Sequence, residues 1–260
     1  MKPEICCSTV CYSHLPVSEA LRKISAVGFR SLELLAIKGW VHVDVEEISP
    51  KEIEELCSEY GLSLVALHAG GLDASTDESL SKSSAYIRSV IDCAKELNVD
   101  RVVFTGGRRT EGALDRFVAG LEKLAQYAED RKVKIFIENH YQNQIETVED
   151  MKRIMQAIQS PYVGLTVDTG HFTASRVPLS KVLQELGPWI RHVHVKDHVG
   201  TQSVGLGRGE TDNEGFVKGL KRLGYAGYLS MELEVEDREN IDLYMQEGYQ
   251  YMERLLSLFI

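Results

Sequence analysis

Residues 133–171 read VKIFIENHYQNQIETVEDMKRIMQAIQSPYVGLTVDTGH. VKIFIENH (133–140) and VGLTVDTGH (163–171) are short apolar runs of strand type. Between them, ETVEDMKRIMQAIQS (146–160) carries apolar residues at helical spacing and opens with Thr147 and Asp150 as a capping-box variant. Strand, helix and strand in that order form a crossover unit, which requires a parallel sheet. The second strand is built to be dry, yet it ends in Asp168 and His171. Burying an ionised carboxylate alone costs several kcal/mol, so such a group is paired, hydrogen-bonded or metal-bound.

The same unit recurs in both directions. Further strands are predicted at 4–10, 31–37, 62–70, 101–107, 190–197 and 227–234, and helices at 17–28, 49–61, 74–98, 111–132, 178–188, 212–224 and 239–259. Gly28 and Gly61 supply helix stops, and Ser49 with Pro50 supplies a start. Eight strands alternating with helices over 260 residues predict an α/β chain folded as a single-domain (β/α)8 TIM barrel spanning 1–260. An open doubly wound sheet is the competitor, but no GxGxxG follows the first strand and no GxxxxGK[ST] occurs.

Bulk properties narrow the function. A net charge of −10 argues against a nucleic-acid-gripping protein, which needs a clustered excess of Lys and Arg. No window approaches the roughly 20 apolar residues of a membrane span, and the N-terminal stretch has no long apolar leader segment. Cys6, Cys7, Cys11, Cys57 and Cys93 are odd in number and lack a CxxC pair, which favours buried thiols in a reducing cytosol. A cytoplasmic protein is expected.

Barrel chemistry sits at the carboxyl ends of the strands. Those ends carry Glu33, His68, Glu138, His140, Asp168, His171, His194, Lys196, Asp197, Glu232 and Glu234. Glu138, Asp168, His194 and Glu232 come from four successive strands, each after an apolar stretch of comparable length. Three carboxylates and an imidazole suit one divalent ion, Mn2+, Co2+, Mg2+ or Zn2+. Without a cation, three packed carboxylates would repel one another.

IEN (137–139), VDTGH (167–171), HVHVKD (192–197), the stretch 205–234 and GFRSLELL (28–35) together resemble the xylose isomerase-like TIM barrel superfamily, which holds sugar isomerases and epimerases, inosose dehydratases and endonuclease IV-type repair enzymes. The resemblance puts the metal on the same four residues. It makes Glu138 and Glu232 the catalytic pair that removes and returns a proton beside a carbonyl, through an enediolate. It also implies a substrate contact for His171 and for Arg208.

Gln144 stands where ketose 3-epimerases carry a further glutamate, six residues after the strand-five ligand, which brings a dehydratase or lyase acting on a ketopolyol or oxidised sugar into consideration. A strand-four end reading FTGGRR and the lack of an Asp-x-His pair after strand seven argue against the three-zinc nuclease.

His68, His140, Lys196 and Glu33 complete the candidate substrate contacts, although His140 also fits a solvated loop, Lys196 an ion pair with Asp197, and Glu33 a supporting role behind a ligand. His192 is expected to be a hydrogen-bonded core residue. Trp40 fits stacking on a sugar or a subunit contact, and Arg108 and Arg109 fit an anion-binding loop or a solvated surface. The reading is a divalent-metal-dependent isomerase or epimerase whose small-molecule partner is a small ketose-like sugar or sugar phosphate, with Arg108, Arg109 or Arg208 available to a phosphate, acting alone or as a homo-oligomer through the C-terminal helix. A barrel that binds a sugar without turning it over is the non-catalytic alternative.

Overall fold

A computed structural model describes residues 2–259. Eight parallel strands close into a barrel: β1 (Glu4–Ser8), β2 (Ser31–Leu35), β3 (Ser63–Leu72), β4 (Arg101–Gly106), β5 (Lys134–Glu138), β6 (Val163–Asp168), β7 (Ile190–Val195) and, after a hairpin of β8 (Asp197–Val199) and β9 (Gln202–Val204), β10 (Tyr228–Met231). The order around the barrel is β1-β10-β7-β6-β5-β4-β3-β2. The helices are α1 (Val17–Val27), α2 (Pro50–Glu59), α3 (Asp77–Glu96), α4 (Ala113–Arg131), α5 (Val148–Ala157), α6 (Thr169–Ala174), α7 (Leu179–Leu186), α8 (Asn213–Arg222) and α9 (Ile241–Ser257). They surround the barrel, and one continuous apolar core joins their inner faces to the strands.

Local signals act as the sequence predicts. Ser49 accepts the Glu52 amide while Glu52 accepts the Ser49 amide at the start of α2, with Pro50 at the first helical position. Thr147 and Asp150 form the same reciprocal cap on α5. On α9, Tyr251, Met252 and Leu255 are buried against the chain's own barrel.

Seven of the eight strands stop one to three residues earlier than their apolar runs suggest, while β3 runs two residues past its expected end to Leu72; at β1, β5 and β6 side chains near the strand end capture backbone groups. Ser8 accepts the Val10 amide and starts a short 3-10 turn, Thr9–Tyr12. Asn139 takes over the β5–β6 ladder: its amide donates to the Asp168 carbonyl (3.1 Å) and its oxygen accepts the Asp168 N–H (2.9 Å). Asp168 Oδ1 accepts the His171 N–H (2.7 Å) and caps α6, so DTGH is a strand-to-helix corner and not the strand end expected of it. The hairpin β8–β9, absent from the sequence expectation, is pinned by Asp197, whose carboxylate accepts the backbone amides of His198, Gly207, Gly209 and Thr211. A Cβ at Gly209 would lie 2.2 Å from that carboxylate, which explains the glycine.

Candidate active site

Barrel closure sets β10, β7, β6 and β5 side by side, and each delivers one polar residue to the same depth. Asp168 pairs with His194 in the β6–β7 register, Ser230 lies beside His194 on β10, and Glu232 follows two residues later. Glu138 closes β5. One ligand-type atom from each of Glu138, Asp168, His194 and Glu232 lies within 4.8 Å of the others. All four side chains are buried.

The imidazole of His194 is held at both ends. Nδ1 faces the cluster, 2.6 Å from Glu138 Oε1 and 3.5 Å from Glu232 Oε1. Nε2 lies 3.0 Å from Glu33 Oε1, and the other Glu33 oxygen meets His192 Nε2 at 2.9 Å. A carboxylate behind a ligand histidine fixes the ring and raises its basicity. Glu33 is sealed at 0% exposure and does not line the cavity, so of the two roles expected of it, substrate contact and support behind a ligand, its position fits support for His194. Burial opposes its ionisation, but the two histidines overcome that and hold its pKa well below the carboxylate range. His192 is the buried, hydrogen-bonded residue its position suggested. Cys6 joins Glu33 and His192 in a second group of ligand-type atoms, but both Glu33 oxygens are engaged and burial pushes the Cys6 thiol up.

Lys196 approaches the cluster from β7. Its ammonium lies 2.9 Å from Asp168 Oδ2, 3.0 Å from Glu232 Oε2 and 2.7 Å from Glu234 Oε2, at 1% exposure. The expected pairing with Asp197 does not form, because Asp197 is saturated by backbone amides. Burial disfavours the ammonium, and the three carboxylates reverse this and hold its pKa well above the usual lysine value. The approach to Asp168 is close without being a well-angled hydrogen bond, which leaves Asp168 Oδ2 a buried acceptor with no donor aligned on it. Burial raises the Asp168 and Glu232 pKa values, and the crowding with Glu138 adds to this. Three convergent carboxylates, an imidazole nitrogen turned toward them and an unaligned lone pair on Asp168 fit a divalent cation bound by oxygen and nitrogen.

A cavity of about 250 Å3 opens onto this cluster. Among the residues proposed for substrate contact, His68, His140, His171 and Lys196 line it, together with Glu138, Glu232 and Glu234. His68 Nε2 lies 2.9 Å from Glu138 Oε2. The His140 and His171 rings lie against each other, tilted by 36°, with centroids 3.9 Å apart. Burial and the nearby Lys196 ammonium push the His171 pKa well below its ordinary value, so the ring is neutral.

Arg208 is not in this set. The turn pinned by Asp197 aims it outward, where it pairs with Glu247 at 2.7 Å and covers the Tyr244 ring. Arg109 pairs with Asp150 at 2.6 Å and lies outside the cavity as well. Sequence reasoning missed Asn139, which no charge or spacing singles out, and it left Glu234 out of the candidate contacts although HVHVKD and MELE together place it beside Lys196. A larger hollow, about 630 Å3, lies at the other end of the barrel among the strand starts Glu4, Arg101, Lys134 and Tyr228, away from the converging ligands.

A closed (β/α)8 barrel with an acidic, histidine-bearing cluster at the carboxyl ends of its strands defines the class. Residues 21–255 match the xylose isomerase-like TIM barrel family, and the chain belongs to it. It is similar to fructoselysine 3-epimerase of Shigella flexneri, 23% identical over 95% of this chain and 94% of that protein. It is also similar to an inosose dehydratase of Clostridium botulinum, 28% identical over 54% of this chain and 53% of the other. Among solved structures, the IOLI protein with a bound zinc atom superposes with a TM-score of 0.84 at 20% identity, covering 100% of this chain and 99% of that one, a likeness of fold.

Proposed function

We propose that this chain is a divalent-metal-dependent isomerase or epimerase acting on a small, uncharged, ketose-like sugar, by proton abstraction next to a carbonyl. The observation that carries this reading is the convergence of Glu138, Asp168, His194 and Glu232 at the floor of a cavity of monosaccharide scale. These four residues hold the ion, which when bound polarises the substrate carbonyl. Glu138 and Glu232 move the proton, one taking it from the carbon beside the carbonyl and the other returning it. His68 orients Glu138 from behind, and neutral His171 exchanges a hydrogen bond with a substrate hydroxyl.

The cavity's charge argues against a phosphorylated substrate. Glu138, Glu232 and Glu234 line it against Lys196 alone, and no arginine reaches it. A phosphate dianion would enter without a bidentate partner. The similarity to a 3-epimerase and to a dehydratase, both enzymes, supports a small-molecule reaction. Five free, buried cysteines suit a cytoplasmic enzyme.

Incubating the metal-loaded protein in D2O with unphosphorylated ketoses and their phosphates tests the proposal. Deuterium entering next to the carbonyl of an unphosphorylated ketose supports it, and a protein that binds no divalent ion or exchanges no proton overturns it. Dehydration is the second reading, favoured by Gln144, which is buried and uncharged, and by the Lys196 ammonium beside Glu232, a proton source for a departing hydroxyl. Loss of water from an inosose-type ketopolyol distinguishes it.

A further inference from the structure

Trp40 is the most exposed large apolar side chain among the described residues, at 58%, and it lines the mouth of the same cavity. Its exposure is imposed by a tied turn. The Ile37 N–H donates to the Val41 carbonyl (3.2 Å), the Trp40 N–H to the Ile37 carbonyl (3.0 Å) and the His42 N–H to the Leu35 carbonyl (2.7 Å). Ala36 and His42 form an antiparallel bridge, His42 Nε2 reaches the Tyr12 carbonyl (3.1 Å), and Lys38 pairs with Glu46. The backbone therefore holds an indole at the rim where it gains no burial from the chain itself. A rigid exposed aromatic at a pocket mouth is a contact surface awaiting a partner.

The cavity divides by chemistry. Val10, Leu35, Ile37 and Trp40 supply apolar surface from the β1–β2 side, while His140, His171, Lys196 and Glu234 supply polar groups from the β5–β10 side. The volume of about 250 Å3 lies below the roughly 300–1,000 Å3 of pockets that enclose drug-sized ligands. One monosaccharide unit fits a cavity of this size, and Trp40, lining its mouth at 58% exposure, offers surface to a group that extends outward from that unit.

Building on the ketose reading of the site, we infer that Trp40 is the platform of an outer subsite that stacks on the C–H face of a second sugar ring joined to the unit at the metal cluster. A pyranose ring presents an apolar C–H face to an aromatic plane and hydroxyls at its edge, and Glu234, half-exposed in the cavity lining, is a polar group for that edge. The preferred substrate is two units long.

The chain has two tryptophans, and Trp189 sits before β7 at the other end of the barrel, so a Trp189→Phe variant makes Trp40 the sole indole reporter. Zn2+-loaded protein is titrated with D-fructose and with the ketose disaccharides lactulose and isomaltulose. A disaccharide is expected to bind about tenfold more tightly than fructose and to shift Trp40 emission to shorter wavelength. In Trp40→Ala the advantage falls to within about twofold while fructose affinity holds. Equal affinities in the parent, or an advantage that survives Trp40→Ala, overturn the outer subsite. Fructose binding without disaccharide binding overturns the subsite and leaves the ketose reading standing, whereas binding of neither sugar overturns both.

Discussion

Four residues at the site are assigned separable work. Glu138→Gln and Glu232→Gln each remove a carboxylate proposed to move the proton and are expected to lower kcat by at least about a hundredfold, read from the D2O exchange rate. Glu33→Gln leaves the cavity untouched and loosens His194, so metal affinity should fall about 10- to 100-fold by competition with a chelator, and an unchanged affinity refutes the supporting role. Lys196→Met leaves Asp168, Glu232 and Glu234 without their counter-charge; removing one partner of a buried ion pair costs about 3–5 kcal/mol, a drop of roughly 10 °C in Tm for a chain of this size. The four-residue cluster was legible because it rests on strand order and polar residues at strand ends, both written in the sequence. Depth along a strand is not written there, and so the sequence leaves Glu33 between a substrate contact and support for a ligand, whereas the structure sets it beneath His194. Arg208 was misassigned because its direction depends on the Asp197 turn, a tertiary feature.

At the scale of elements, the eight strands were legible because each barrel strand is a short, nearly continuous apolar run with polar residues at its carboxyl end. Their starts fall within a residue of expectation, whereas all the ends but that of β3 are expected too long. At β1, β5 and β6 the side chains that bond backbone, those of Ser8, Asn139 and Asp168, stand at or just past the last strand residue, and apolarity does not report that. The β8–β9 hairpin escaped notice since TQSVGLGRG has no alternation and its pinning carboxylate, Asp197, reads as a site residue. The cap on α5 gives a test with a defined pH sign. Burial tends to raise the Asp150 pKa, but Arg109 and the Thr147 and Glu146 amides bring it below its ordinary 3.8. A depressed carboxylate stabilises the fold above the unfolded value, and that contribution disappears as pH falls through the folded one. Asp150→Asn should therefore cost about 1 kcal/mol at pH 7 and progressively less below pH ~4, measured by urea unfolding. A cost independent of pH would show that the cap acts through shape alone.

For the whole molecule, folding and ion binding are linked. A divalent ion that binds the folded barrel and not the unfolded chain should stabilise it by about 2.7 kcal/mol at a hundred times its dissociation constant. Calorimetry with Mn2+, Co2+, Mg2+ and Zn2+ ranks the ions, and a Tm unmoved by any of them counts against the metal reading. The rise should be larger in Lys196→Met, where the ion would relieve the repulsion that the lysine no longer offsets.

The Lys196 ammonium among those carboxylates has a biological consequence. Because the chain carries its own tethered cation, the barrel can close as soon as it is synthesised, with no need to wait for an ion. On the metal reading proposed above, loading would follow folding, and the ion acquired would be the one the cell offers to a finished site. Intrinsic affinity rises from Mn2+ through Co2+ toward Cu2+ for sites of this kind, so supply, more than the protein, selects the occupant. The same polypeptide would thus serve as different metalloforms in cells that differ only in their free-metal pools.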